Sequence, residues 1–284
     1  MQTKISTGTA DVFIDTEGPM TMIGEKINPT GRKRLAAALA DGDFDYVIRL
    51  AVAQVEGGAD ALDINVGVPG TDEPTTMRAV VRAVSEAVDV PLSIDSPNPE
   101  SVIAGVEVCT GRPLINSVNG EEASLSAILP VVKEYDTAVI GLTLDEDGIP
   151  LTAEARFAVA ERIIERAGAL DIPIESIVID PLVMTVGADS NAARVTLDTI
   201  RLLTERYGVN INLGASNVSF GLPDRHTLNQ AFLGLAMEVG ASCAITDAAK
   251  LGATIRAADL LRGRDKYGMR YIKYFRDHQP KDDQ

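Results

Sequence analysis

Eight short apolar runs, each followed by a longer stretch of helical periodicity, recur along the chain without a break. The runs cover residues 20–24, 61–65, 92–95, 114–117, 138–142, 177–180, 211–215 and 243–246. They are rich in β-branched residues and bounded by Gly, Pro or polar residues, as buried parallel strands are. Between them, Val47, Ala51 and Val55 repeat at helical spacing within 44–56, and Phe157, Ala160, Ile164 and Ala167 within 152–170. Thr152, with Glu154 after it, reads as a helix start. Asp189, Ser190 and Asn191 offer N-caps for a helix over 192–207, and Gly208 reads as its stop. Strict alternation of this kind predicts an α/β fold with a parallel sheet. Eight units with no second domain predict closure into a single (β/α)8 TIM barrel, and 284 residues suit that architecture. An open doubly wound sheet is the alternative, but no Gly-x-Gly-x-x-Gly follows the first run. Residues 1–19 are expected to form an N-terminal hairpin or cap over the barrel floor. The barrel itself is expected over 20–263, and a polar surface tail that frays at its end over 264–284.

Composition narrows the function. A net charge of -15, with no basic stripe, argues against nucleic-acid and anionic-membrane partners. No apolar run reaches the ~18 residues of a membrane span. No signal-peptide core stands at the N-terminus, and Cys109 and Cys243 are solitary and set in apolar runs, so a reducing cytoplasm is expected. His226 and His278 are the only histidines, which removes a His-rich metal site. His226, within Asp224-Arg225-His226-Thr227, is read as a surface or helix-capping residue.

In such a barrel the chemistry sits where the strands end. Those ends carry Glu25 and Asn28, then Asn65, Asp95, Asn116, Asp180, Ser216 with Asn217, and Asp247. The set is rich in acceptors and amides and poor in basic groups. It suits a flat neutral heterocycle that presents several N–H donors along one edge. Two other chemistries compete at this point. Asp63, Asp95, Asp180 and Asp247 could hold Mg²⁺. A Schiff-base lysine would need to stand on a strand end, whereas Lys26 and Lys250 are read as loop residues.

Six segments occur in order at these ends. They are Gly24-Glu25-Lys26-Ile27-Asn28-Pro29-Thr30-Gly31, Leu62-Asp63-Ile64-Asn65-Val66-Gly67, Ile94-Asp95-Ser96, Ile115-Asn116-Ser117, Ile179-Asp180-Pro181 and Gly214-Ala215-Ser216-Asn217-Val218-Ser219. Together, over residues 20–262, they resemble the pterin-binding superfamily: dihydropteroate synthase, the folate domain of cobalamin-dependent methionine synthase, and the methyltetrahydrofolate:corrinoid protein methyltransferases. The methyltransferase branch is the nearest in motif, through Ser216-Asn217-Val218-Ser219. The synthase's Ser-Arg-Lys and Arg-x-His motifs are missing, since the last strand ends Ile245-Thr246-Asp247. Without those cations a pyrophosphate leaving group would find little stabilisation.

The resemblance implies 5-methyltetrahydrofolate or tetrahydrofolate as substrate, and cobalamin carried by a separate corrinoid protein, without a bound metal. It implies that Asp95, Asn116 and Asp180 bond the pterin edge, that Gly214 and Ser216 line the ring pocket, and that Arg225 lies near the pterin or aminobenzoate. Asn217 would sit by N5 and stabilise it in the protonated form. Glu25, Asn28 and Asn65 are further candidates, with loop anchoring as the competing role. The corrinoid protein is expected to dock transiently over the loops 69–75 and 184–191, and the chain to form a homodimer. Condensation of the dihydropteroate synthase type and a non-catalytic folate-binding barrel are the alternatives.

Overall fold

The computed structural model describes residues 1–278. The expected fraying of the C-terminal tail falls on 279–284, outside the described residues. A two-stranded antiparallel hairpin, β1 (Gln2–Ser6) and β2 (Asp11–Asp15), opens the chain. Eight parallel strands follow: β3 (Thr21–Ile27), β4 (Ala61–Ile64), β5 (Leu92–Asp95), β6 (Leu114–Asn119), β7 (Ala138–Leu142), β8 (Ile177–Asp180), β9 (Asn210–Ile211) and β10 (Cys243–Thr246). They pair in the order β10-β3-β4-β5-β6-β7-β8-β9. A parallel bridge between Gly214 and Ile245, and the Ile245 N–H donated to the Leu213 carbonyl at 2.9 Å, bring the last seam together. The result is a (β/α)8 barrel.

The helices lie outside the strands: α1 (Lys33–Asp41), α2 (Phe44–Glu56), α3 (Glu73–Ala87), α4 (Pro99–Val106), α5 (Glu122–Glu134), α6 (Ala153–Gly168), α7 (Ala192–Tyr207), α8 (Arg225–Glu238), α9 (Ala248–Leu261) and α10 (Met269–His278). Among the described residues none is long and apolar enough to cross a membrane. Thr152 caps α6, its hydroxyl accepting the Ala155 N–H at 3.2 Å, and Gly208 ends α7 with a positive φ of 60°.

Side chains alternate across each strand, and the alternation sorts the core. Leu62, Ile64, Ile94, Ile115, Val139, Ile177, Ile179 and Ile211 pack outward with the helices in the larger apolar cluster. Ile23, Ala61, Leu114, Ala138, Ile140, Val178 and Cys243 form a second cluster with Ile5 and Ile14 of the hairpin. That second set fills the barrel interior at its floor. One step further along the same inward rows come Glu25, Asp63, Asp95, Asn116, Asp180 and Asn212. The interior therefore changes from apolar to polar toward the strand ends.

Two strands depart from the expected bounds, and one cap differs in its bonding. Strand β3 runs on to Ile27, with its register to β4 shifting between Gly24 and Ile27, so Lys26 stands on a strand end and not in a loop. The Lys26 N–H is satisfied by Gln54 Oε1 at 2.6 Å, which holds the bulge. Strand β9 is only two residues long, against the expected 211–215, because the Gly214 N–H turns to the Asp180 carboxylate and a 3-10 turn begins at Ala215. Asn191 occupies the N-cap of α7 without a side-chain bond; Asp189 instead accepts the Asn191 N–H at 2.9 Å in the turn before it.

Candidate active site

Two polar networks line the C-terminal end of the barrel. In the first, Asp63 Oδ1 accepts from the Ser93 hydroxyl at 2.7 Å and from Asn116 Nδ2 at 3.1 Å. Asp95 Oδ2 accepts from Asn65 Nδ2 at 3.0 Å, and Asn65 Oδ1 accepts the Gly67 N–H at 3.0 Å. Burial pushes the Asp63 carboxyl well above the usual carboxylate range, and the neighbouring Asp95 charge adds to the effect. Burial also raises Asp95, opposed by its hydrogen bonds from Asn65 and Asp63. Ionisation of Asp63 beside an ionised Asp95 is therefore disfavoured.

The second network surrounds Asp180, which is 6% exposed. Its oxygens accept the Leu182 N–H at 2.8 Å and Asn212 Nδ2 at 2.7 Å, with the Gly214 N–H as a further donor. Burial lifts its carboxyl to about 6, against those hydrogen bonds and the nearby Arg156 charge. The Asn212 carbonyl oxygen is taken by Cys243 Sγ at 3.5 Å.

These networks decide what each amide can offer. Asn65 uses both ends inside the protein, which makes it a brace for Asp95. Asn116 uses its N–H on Asp63, so its carbonyl oxygen is the end left for a ligand. The pocket floor is therefore dominated by acceptors, matched to a partner with several N–H donors.

Above the floor, the 3-10 turn Ala215–Ser219 carries the remaining candidates. A Cβ on Gly214 would come within 3.0 Å of Asn217 Nδ2, so glycine permits that amide to lie close to the strand end. Asn217 is exposed, and the Ser216 hydroxyl donates to Glu25 at 3.2 Å. Arg225 donates to the Ser219 hydroxyl at 3.1 Å and to the Ser216 carbonyl at 2.6 Å, and lies over the Phe220 ring. The loop after β8 ties to this turn: Thr185 donates to the Phe220 carbonyl at 2.7 Å and the Val186 N–H to the Val218 carbonyl at 3.0 Å. Asn28 lies apart from these networks and accepts the Thr30 N–H at 3.0 Å, turning its own loop.

Ser93, Asn212 and the bracing role of Asp63 escape a reading that inspects only strand ends. The signal for them was period two: they stand two residues before Asp95, Gly214 and Asn65, positions already singled out. A basic cluster at the mouth was missed as well. Lys26, Arg225, His226 and Lys250 line one cleft beside Ser216 and Glu25. Lys26 is bonded to Asp247, which also lies 3.7 Å from Lys250. Capping of α8 falls to Asp224, which accepts the Thr227 N–H at 3.4 Å, and not to His226. Among the described residues no three His, Cys, Asp or Glu side chains gather as a metal-holding group.

The barrel mouth thus combines buried carboxyls, oriented amides and an open cleft, the place where barrel enzymes bind small molecules. Residues 24–247 match the family described as pterin binding enzyme, and the chain belongs to that family. Its relatives include a methylcorrinoid:tetrahydrofolate methyltransferase of Eubacterium limosum, 34% identical over 266 residues that cover 90% of this chain and 96% of that one. Methionine synthase of Mycobacterium tuberculosis is 33% identical over 248 residues, covering 83% of this chain but only 21% of the larger protein. Dihydropteroate synthase of Yersinia pestis superposes with a TM-score of 0.70 over 93% of this chain and 100% of its own, at 15% identity, a likeness of fold alone.

Proposed function

We propose that this chain moves a methyl group between N5 of methyltetrahydrofolate and the cobalt of a separate corrinoid protein. What carries the reading is the match along nearly the whole of both chains to a relative whose name states that reaction. The acceptor-lined floor is compatible with it, because a pterin edge presents an amino group and ring N–H donors. In this reading Asp95, Asp180 and the Asn116 carbonyl accept from that edge, and Gly214 and Ser216 border the ring. Asp63 keeps the Asn116 amide turned so that its oxygen faces the ligand.

The chemical difficulty is the leaving group. As the methyl–N5 bond breaks and the methyl–cobalt bond forms, the electron pair stays on N5, whose anion is too basic to depart unaided. The corrinoid, a substrate here, supplies the nucleophilic metal. The protein must supply a proton, or a hydrogen bond that strengthens in the transition state. Asn217 is assigned that role, directly or through a water it holds, with the proton drawn from solvent. Asp95 and Asp180 fix the ring and so the angle of the methyl group. The corrinoid protein docks over the mouth, where Met184 and Phe220 expose apolar surface.

Methyl transfer from methyltetrahydrofolate to free cob(I)alamin, followed by the cobalamin absorbance, tests the reading. The wild type is expected to turn over. Asn217→Ala is expected to lose about 100-fold or more in rate, the cost of removing one hydrogen-bonding group that acts on developing charge. Unchanged turnover in the variant removes Asn217 from the chemistry. Absence of folate binding in the wild type removes the pterin reading.

A further inference from the structure

Along a regular strand only every second side chain faces the barrel interior, so two adjacent residues cannot both do so without a break in the pleat. Strand β3 makes that break. Gly24 pairs with Leu62 and Ile27 with Ile64, so Glu25 and Lys26 together stand opposite Asp63 alone. Ile27 packs outward with the helices, while Glu25 and Lys26 both line the mouth. Each reaches a different neighbour there. Glu25 accepts from the Ser216 hydroxyl at 3.2 Å, and Lys26 is bonded to Asp247 at the N-cap of α9.

Gln54 of α2, only 7% exposed, holds this break from behind the sheet. Its Oε1 accepts the Lys26 N–H at 2.6 Å, the donor of the bulged residue. A Cβ on Gly24 would fall 2.6 Å from that oxygen, so glycine leaves it room. The other end of the amide is unserved, since Gln54 Nε2 is buried without a hydrogen-bond partner. A buried, unpaired amide N–H group costs stability, which weighs against packing as the reason for glutamine here. We propose that Gln54 is a positioning residue for methyl transfer. By holding the bulge it keeps Glu25 on Ser216, and so fixes the turn on which the adjacent Asn217 meets N5. This rests on the methyl-transfer reading above; Gln54 itself touches no reacting atom. Asn217 acts on charge that develops only as the methyl–N5 bond breaks. Loosening its turn therefore lowers kcat more than folate affinity, which the floor provides.

Methyl transfer to cob(I)alamin by Gln54→Met tests the assignment, with methyltetrahydrofolate affinity read by calorimetry. The kcat is expected to fall about tenfold, and the dissociation constant to change by less than about threefold. Gln54→Glu, which keeps an acceptor oxygen at the same reach, is expected to recover most of the rate. The route is checked in a Glu25→Ala, Lys26→Met background. There Gln54→Met should cost less than about twofold more, because the contacts it supports are already gone. Gly24→Ala, whose Cβ pushes on the Gln54 oxygen, serves as a second variant should Gln54→Met not fold, with the same fall in kcat expected. An unchanged kcat in a folded Gln54→Met or Gly24→Ala protein overturns the assignment. So does a further loss of full size in the background variant, or a loss of affinity as large as the loss of kcat. A wild type that turns over beside unaltered variants fails the assignment alone; a wild type without turnover fails the methyl-transfer reading and the assignment with it.

Discussion

Asp180 has one oxygen on the Leu182 N–H and the other on Asn212, and burial still holds its carboxyl at about 6. In the unfolded chain the same group titrates near 3.8. A carboxyl raised in the folded state favours folding while it is protonated, below the unfolded value, and that advantage is lost as pH climbs through about 6. The expected cost of ionising Asp180 in the ligand-free protein is about 2–3 kcal/mol. Urea denaturation at pH 4.5 and pH 8 checks this: Asp180→Asn removes the titration, so the stability gap between variant and wild type should move toward the variant as pH rises. Folate binding should run the other way. The ionised carboxylate accepts from the ligand, so affinity is expected to fall below about pH 6 in the wild type and to lose that pH dependence in Asp180→Asn. A flat profile in the wild type would take Asp180 out of the ligand's contact set.

One buried arginine organises the elements around that carboxylate. Arg156 of α6 is 2% exposed and donates to the carbonyls of Pro150, Pro181 and Leu182 at 2.9, 2.8 and 2.7 Å, and to the Thr196 hydroxyl at 3.3 Å. It thereby ties the loop before α6, the strand end of β8 and the body of α7 into one unit. Leu182 holds a positive φ of 60°, a conformation costly for a branched side chain, and the Arg156 bond to its carbonyl helps keep it there. Arg156→Met removes the donor to the Pro150 and Pro181 carbonyls, leaving only Thr196 on Leu182, and should lower stability by about 3 kcal/mol, with weaker folate binding because the loop bearing the Asp180 contacts shifts. Arg156→Lys, with fewer donors, is expected between the two. Stability by urea titration and folate affinity by calorimetry are read together; a methionine variant unchanged in both would deny the arginine this role.

At the scale of the molecule, the barrel is plugged below and open above. The hairpin seats Ile5 and Ile14, both 0% exposed, on the floor cluster. Asn210 Nδ2 binds Thr3 at 2.9 Å and the Ile14 carbonyl at 2.8 Å, and the Ser6 N–H and Arg112 carbonyl meet at 2.8 Å. Keeping the floor dry lets the polar rows be confined to the strand ends. Ile5→Ala should cost about 2–5 kcal/mol, the usual range for emptying a buried site of this size. Thermal unfolding measures it, and folate affinity should stay within about twofold, because the cavity opens at the far end of the barrel from the ligand. A large loss of affinity in that variant would mean that floor and mouth are coupled.

The eight strands, the outer helices and the acids at the strand ends were legible in the chain, because periods of two and 3.6 are local properties of the backbone. Thr152 and Gly208 could be placed for the same reason: a cap needs only its own few neighbours. Which polar groups meet could not be read that way. Asn212 reaches Asp180 across 32 residues of sequence, Asn116 reaches Asp63 across 53, and Lys26 reaches Asp247 across 221. Lys26 was expected in a loop because a bulge that lengthens a strand leaves no periodic trace. Closing the sheet into a barrel brings β10 beside β3, and that single event assembles the basic cleft from the two ends of the barrel sequence. The alphabet of the site is local, but its pairings and its raised carboxyls come from burial and from closure, which only the tertiary structure decides.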